Sequence, residues 1–305
     1  MKLFDLFVVI FTVTTVQSFS LPAKDLINKG RIVNGSPSIF GQFPYAVMLI
    51  MNDRVCAGSF IDREWILTAA HCVIDGNYVL VYFGAWKTDM ATISYTVYTQ
   101  DIFIHPDYRS EVHHNDDIAL IKIPTTNICT DIFPVPLPEV NSDPGIYVGK
   151  FAVASGWGLT SENLASYPFR LLYIHVPVLS NFDCFALMAI DTDKVLCTNS
   201  YYGSTPFLGD SGGPLVVEDN PVLIGVITGG SSKIDGSPTG YVRVSYYMNW
   251  INPLFNTHKH FLEPFAIFQP LDLSIQPSEI QECTFLHNQI QEIHCNKLYM
   301  LKQQG

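Results

Sequence analysis

The stretch GSTPFLGDSGGPL, residues 203–215, has two halves of different character. Gly209-Asp210-Ser211-Gly212-Gly213-Pro214 surrounds one serine with glycines, which expose backbone amides without side-chain obstruction. Ser204-Thr205-Pro206-Phe207-Leu208 has neither a cysteine nor an acid just before that loop. Ser211 reads as a nucleophile, and a serine hydroxyl is a poor one until a neighbouring base takes its proton.

Two distant segments offer the partners. Leu67-Thr68-Ala69-Ala70-His71-Cys72 sets a histidine in small, apolar surroundings. Asn115-Asp116-Asp117-Ile118-Ala119-Leu120 sets acids at the mouth of an apolar strand. Either segment alone reads as structural. In the order His, Asp, Ser they resemble the chymotrypsin-like (trypsin-fold) serine proteases. The resemblance runs from Arg31-Ile32-Val33-Asn34-Gly35 to Trp250-Ile251 and includes Gly156-Trp157-Gly158.

The resemblance implies His71 as general base, Asp117 as the acid that orients it, and Ser211 as nucleophile. It places the acid directly before Ile-Ala-Leu, which selects Asp117 and leaves Asp116 to solvent. The amides of Gly209 and Ser211 are expected to form an oxyanion hole. Arg31-Ile32 looks like a zymogen cleavage site, after which the new amino group of Ile32 pairs with Asp210. The basic Arg31 implies a trypsin-like activating protease.

The primary specificity pocket implied has Thr205 at its base, six residues before the nucleophile, and Thr228, Gly229, Gly230 and Thr239 in its walls. An aspartate at the base would select Arg or Lys, and threonine removes that attraction. A β-branched Thr239 makes the pocket shallow, so elastase-like small aliphatic side chains are expected, with chymotrypsin-like Phe, Tyr or Leu next. If Asp235 reached the pocket instead, basic substrates would return.

The residues between Ile32 and Tyr241 support an all-β fold independently. Short β-branched and aromatic runs, among them 44–50, 78–84, 92–98, 118–123, 170–179 and 221–228, are separated by Gly, Pro, Asn and Asp clusters. These runs suit a barrel or a sandwich. The resemblance specifies two antiparallel six-stranded β-barrels, about 32–138 and 139–244. SYYMNWINPLF then repeats apolar residues at helical spacing and reads as a terminal helix. Residues 257–305 change texture towards Gln, His and Pro and read as an extension of the 32–256 protease domain, with weak helical patterning over 278–302.

Residues 1–20 carry a lysine, an apolar run and small residues, the layout of a secretory signal peptide, and 21–31 follow as a propeptide. A secreted, extracellular and monomeric protein is expected, acting on protein or peptide substrates. The net charge of −11 argues against nucleic-acid or anionic-membrane partners, which reward a basic face.

Secretion permits disulfides. Of the seven cysteines, the resemblance pairs Cys56 with Cys72 and Cys184 with Cys197. It also shows that the bridge that usually anchors the nucleophile loop is missing, with Phe207 at its first position. Cys129, Cys283 and Cys295 remain, with Cys283–Cys295 or a bridge from Cys129 to the tail both open. No cofactor and no metal are expected: the tail histidines fit no ligand spacing, and Gly84–Ser94 lacks calcium-loop carboxylates. Asn34-Gly35-Ser36 is a formal glycosylation sequon that also reads as a turn. The competing functional readings are a non-catalytic homologue that binds partners, and a protease whose tail docks a regulator.

Overall fold

The computed structural model describes residues 35–110, 115–126, 131–140, 142–159, 169–200, 204–229 and 237–256. The expected leader, the propeptide with Arg31, Ile32, Asn34, Gly230, Asp235, Cys129 and the extension 257–305 with Cys283 and Cys295 lie outside the described residues.

Fourteen strands and two helices are named in chain order: β1 (Ser36–Pro37), β2 (Ala46–Met51), β3 (Arg54–Asp62), β4 (Trp65–Thr68), β5 (Tyr78–Phe83), β6 (Ile93–Tyr98), β7 (Ile102–Ile104), β8 (Ala119–Lys122), β9 (Phe151–Gly156), β10 (Leu172–Pro177), α1 (Asn181–Met188), β11 (Val195–Thr198), β12 (Pro214–Val217), β13 (Leu223–Gly229), β14 (Thr239–Arg243) and α2 (Val244–Asn256). They form two antiparallel seven-stranded sheets, ordered β6-β5-β2-β3-β4-β8-β7 and β1-β10-β9-β12-β13-β14-β11.

The expected pair of barrels is recognisable, and the extra strands have simple origins. In the first sheet, β6 and β7 are one run of chain interrupted by a 3-10 turn at Thr99–Asp101. Its first part pairs with β5 and its second with β8, so the broken strand joins the two ends of the sheet. In the second sheet, Leu179 N donates to Cys197 O and Asn199 N to Pro177 O, which ties the end of β10 to β11. The two-residue β1 adds outside β10 as a seventh strand.

Alternation makes the barrels. Along β5, Val79, Val81 and Phe83 are buried while Tyr78 is exposed, because successive side chains point to opposite faces. The first core packs Phe60 edge-on against Phe83, with centroids 5.1 Å apart. Helix α2 completes the same core with Tyr247, Met248 and Ile251.

Helix α1 was not anticipated between β10 and β11. Its signal is local: the Ser180 hydroxyl accepts from Asp183 N at 3.0 Å and donates to that residue's carboxylate at 2.6 Å, a cap that needs no long apolar period.

Candidate active site

His71 lies on a 3-10 turn, Ala70–Cys72, just after β4. A disulfide between Cys56 and Cys72 ties that turn to β3. Asp117 lies just before β8, in a tight turn closed by Ile118 N donating to Asp116 O at 2.9 Å. The Asp117 carboxylate accepts from the His71 amide at 2.9 Å and lies 2.7 Å from His71 Nδ1. A carboxylate can only accept, so this contact places the imidazole proton on Nδ1 and leaves Nε2 as an acceptor. The Asp117 side chain is 6% exposed and that of His71 36%, so the acid is shielded while the imidazole faces the cleft.

The loop around Ser211 is fastened on both sides. Ser211 O accepts from Ala57 N at 2.8 Å, Gly212 N donates to Ile227 O at 2.6 Å, and Gly213 N donates to Asp210 O at 3.0 Å. Gly212 is required twice over. Its φ is +81°, and a Cβ there would lie 2.2 Å from both Ala57 O and Thr68 Oγ1. Asp210 N donates to Phe207 O, whereas the amides of Gly209 and Ser211 have no partner among the described residues. Unpaired donors of this kind are what an oxyanion site requires. His71, Gly209 and Ser211 line one cavity of about 350 Å³, together with Leu159 and Leu208.

Asp210 is fully buried. Its carboxylate accepts from Gly158 N at 2.7 Å and Phe207 N at 2.8 Å, and no cationic side chain pairs with it among the described residues. Burial pushes its carboxyl up to about 7, with the two amides opposing. The same group explains the Gly156-Trp157-Gly158 motif. A Cβ on Gly156 or Gly158 would lie 2.3 Å and 2.5 Å from the Asp210 carboxyl group.

Thr205 and Thr239 are both buried, and their hydroxyl oxygens are 2.9 Å apart. Thr228 and Gly229 end β13, where Gly229 pairs with Gly240. Where the sequence lacks a bridge cysteine, Phe207 is buried against Leu159, and Leu159 N donates to Leu208 O at 2.6 Å. A second disulfide joins Cys184 on α1 to Cys197 on β11.

Asp116 departs from expectation. It is 6% exposed rather than solvated, and Lys194 Nζ lies 3.0 Å and 2.8 Å from its two carboxylate oxygens. The Tyr247 hydroxyl donates to Asp116 Oδ1 and accepts from the Asp116 amide, each at 3.0 Å. A carboxylate beside apolar strand residues stays buried only with such partners, and both partners lie far along the chain.

Two groups of potential metal ligands converge among the described residues. In one, Cys56 and Cys72 flank His71 but their sulfurs are joined to each other. In the other, His105 and Asp107 approach Asp116, whose oxygens Lys194 already takes.

Comparison with known proteins agrees with this geometry. The trypsin family profile matches residues 32–251. The chain belongs to the trypsin family of serine proteases. It is 37% identical to Serine protease 1 of Drosophila melanogaster over 235 residues, 75% of this chain and 87% of that one. It is 34% identical to a collagenase of Hypoderma lineatum, covering 81% of this chain and 96% of the relative. Brachyurin of Leptuca pugilator is 36% identical over 72% of this chain and 96% of its own. A solved structure of HL collagenase superposes with a TM-score of 0.66 at 32% identity, covering 75% of this protease and 100% of that chain. The protease is thus a homologue of serine endopeptidases, with the chymotrypsin-type fold and protein substrates that the family implies.

Proposed function

We propose that this protease is a secreted endopeptidase that hydrolyses peptide bonds through an acyl-enzyme formed on Ser211. His71 Nε2 takes the Ser211 hydroxyl proton as Oγ attacks the scissile carbonyl carbon. The developing oxyanion is held by the amides of Gly209 and Ser211. The imidazolium, stabilised by Asp117, gives its proton to the departing amine as the C–N bond breaks. Water then repeats the sequence against the ester: its proton goes to His71, its oxygen to the carbonyl carbon, and Ser211 Oγ is released with a proton. The observation that carries this reading is the 2.7 Å contact between His71 Nδ1 and Asp117, beside a serine loop with two undonated amides.

In this reading, residues 1–20 are a leader, 21–31 a propeptide, 32–256 the protease domain and 257–305 an extension. A trypsin-like partner cuts after Arg31, and the Ile32 ammonium neutralises Asp210. The mature enzyme acts as a monomer. The neutral Thr205–Thr239 pair supports a preference for small aliphatic or aromatic side chains over Arg and Lys, with Thr228, Gly229 and Gly230 as walls.

The test is to cleave the precursor after Arg31 and compare peptide amides ending in Arg, Phe, Leu and Ala, with Ser211→Ala as control. Hydrolysis that survives Ser211→Ala, or its absence for every substrate, would sink the reading. A preference for Arg would overturn the pocket assignment alone.

A further inference from the structure

Trp86 and Lys87 follow β5, and Phe169 and Arg170 precede β10, so the two pairs flank strands of different sheets. Thr88 N donates to Phe169 O at 3.0 Å and Leu171 N to Trp86 O at 2.9 Å. These bonds set Lys87 opposite Arg170 in an isolated antiparallel bridge. They flank the pair rather than join it, and opposed side chains stand closest at such positions. Like charges placed there are destabilising. Both cations lean on one indole: Lys87 Nζ lies 4.5 Å from the Trp86 ring centroid and the Arg170 guanidinium 5.4 Å. No carboxylate pairs with either of them among the described residues.

The rings around these cations are open to water. Phe40 meets Trp86 edge-on, with centroids 6.1 Å apart. Ile39 is 71% exposed and Phe169 54%. One exposed apolar side chain is ordinary, whereas several gathered round two unpaired cations mark an interaction surface. None of these residues lines the cavity beside Ser211, so the surface is separate from the active site. Its chemistry calls for carboxylates and large apolar side chains together. Residues 261–282, FLEPFAIFQPLDLSIQPSEIQE, supply that combination: four carboxylates (Glu263, Asp272, Glu279 and Glu282), three phenylalanines, and no Lys, Arg or His. Reach is sufficient. Helix α2 ends at Asn256, and by Glu282, 26 residues on, an extended chain spans up to about 85 Å. A compact domain of this size has a radius of gyration of about 17 Å, so the segment can pass round it.

We propose that residues 261–282 of this chain dock on the Trp86 surface as an intramolecular strap. Their carboxylates pair with Lys87 and Arg170, and their phenylalanines cover Phe40, Trp86 and Phe169, removing both sets of rings from water. Each cation then gains the counter-charge that offsets its repulsion of the other. Because Lys87 belongs to the chain after β5 and Arg170 to the chain before β10, the strap lies across the seam between the two sheets. The inference does not depend on the serine-protease reading.

The experiment uses the full chain carrying Ser211→Ala, so that self-cleavage cannot remove the segment. A zero-length carbodiimide should join Lys87 to one of Glu263, Asp272, Glu279 or Glu282 within a single chain, as read by mass spectrometry. In 1 M salt, where screening acts within about 3 Å, the yield should fall by about fivefold or more. Hydrogen exchange across 261–282 should be about tenfold slower than in the double variant Lys87→Glu, Arg170→Glu, whose changes are on the surface and spare the core. Adding Glu263→Lys, Asp272→Lys, Glu279→Lys and Glu282→Lys to that double variant should restore slow exchange, which a merely structural role for Lys87 and Arg170 would not do. Absence of any link from Lys87 to 261–282, or exchange that the double variant leaves unchanged, would overturn the inference. A link found only at dimer mass, with a yield that grows with protein concentration, would overturn it in favour of a second copy as the partner.

Discussion

Lys194 Nζ lies 2.8 Å from Asp116 Oδ2, an ion pair that ties the loop before β11 in the second sheet to the residue preceding Asp117. Asp116 sits at φ +55°, a left-handed conformation that Asp tolerates and most residues do not. The turn around Asp117 is closed by the Asp116 carbonyl, so the clamp on Asp116 fixes the neighbouring acid. The hydrogen bond to Asp116 holds the Lys194 ammonium above its usual range, and burial opposes it.

Lys194→Met should lower stability by about 2 kcal/mol. Removing one partner of a fully buried pair costs about 3–5 kcal/mol, and the Lys194 side chain keeps 22% of its surface in water, which reduces that figure. In peptide hydrolysis kcat should fall more than KM rises, because the acid is displaced while the substrate cleft is not. Lys194→Arg should restore most of both. Thermal melting of the three proteins, with steady-state kinetics on one peptide, measures this, and an unchanged kcat in Lys194→Met would separate the clamp from the acid.

The clamp also marks where sequence reading stops. The strands are legible because alternation and turn residues are local: the run read at 78–84 is β5 at Tyr78–Phe83, and that read at 92–98 is β6 at Ile93–Tyr98. Asp117, His71 and Ser211 could be proposed from the sequence because their short motifs, weak one by one, stand in the order His, Asp, Ser. Asp116 is not, because its partners Lys194 and Tyr247 lie 78 and 131 residues away and neither stands in a motif. Phe207 shows the same limit. The sequence shows a Phe where the resemblance leads one to expect a cysteine, but its partner Leu159 becomes evident only once the loops meet. Likewise, the glycines of 156–158 are readable as a motif, while their reason is a carboxylate more than fifty residues on.

Asp117→Asn should lower kcat by about 10⁴-fold with little change in KM. An amide that turns its NH₂ towards Nδ1 favours the tautomer with the proton on Nε2, and His71 can then no longer accept from Ser211. The remaining carboxamide oxygen would still accept from the His71 amide, as Asp117 Oδ1 now does at 2.9 Å, so the fold of the site should persist. Active-site titration alongside kcat distinguishes a slow enzyme from a misfolded one, and a loss under tenfold would remove Asp117 from the proposed role.

Thr205→Asp should turn selectivity towards Arg and Lys. The position is buried, and among the described residues its hydroxyl meets Thr239 Oγ1 and the Pro206 carbonyl and no cation, so an added carboxylate is left for a basic substrate to pair. The ratio of kcat/KM for Arg over Ala should rise by at least about tenfold, from an interaction worth more than ~1.4 kcal/mol. The free variant should melt at a lower temperature and recover when a basic ligand is added. An unchanged Arg-to-Ala ratio would mean that Thr205 is not at the base of the pocket.

Under the proposed activation by cleavage after Arg31, Asp210 ties that step to pH. Its carboxyl is held up to about 7 by burial, above an ordinary value of 3.8, so the folded chain binds its proton more tightly than the unfolded chain. Such a group favours the fold at low pH, and its contribution is lost as pH rises from about 4 to about 7. In the uncut precursor no cationic side chain among the described residues offsets that loss. In the cut enzyme the Ile32 ammonium, ionised up to about pH 8, would pair with the carboxylate and remove the penalty. The melting temperatures of cut and uncut chains should therefore nearly coincide at pH 4.5 and diverge progressively by pH 7.5, with the cut form higher. Asp210→Asn should abolish the divergence, because the amide neither titrates nor attracts the new amino group. A gap that is constant across the range, or that persists in Asp210→Asn, would place the energetic consequence of cleavage elsewhere in the molecule.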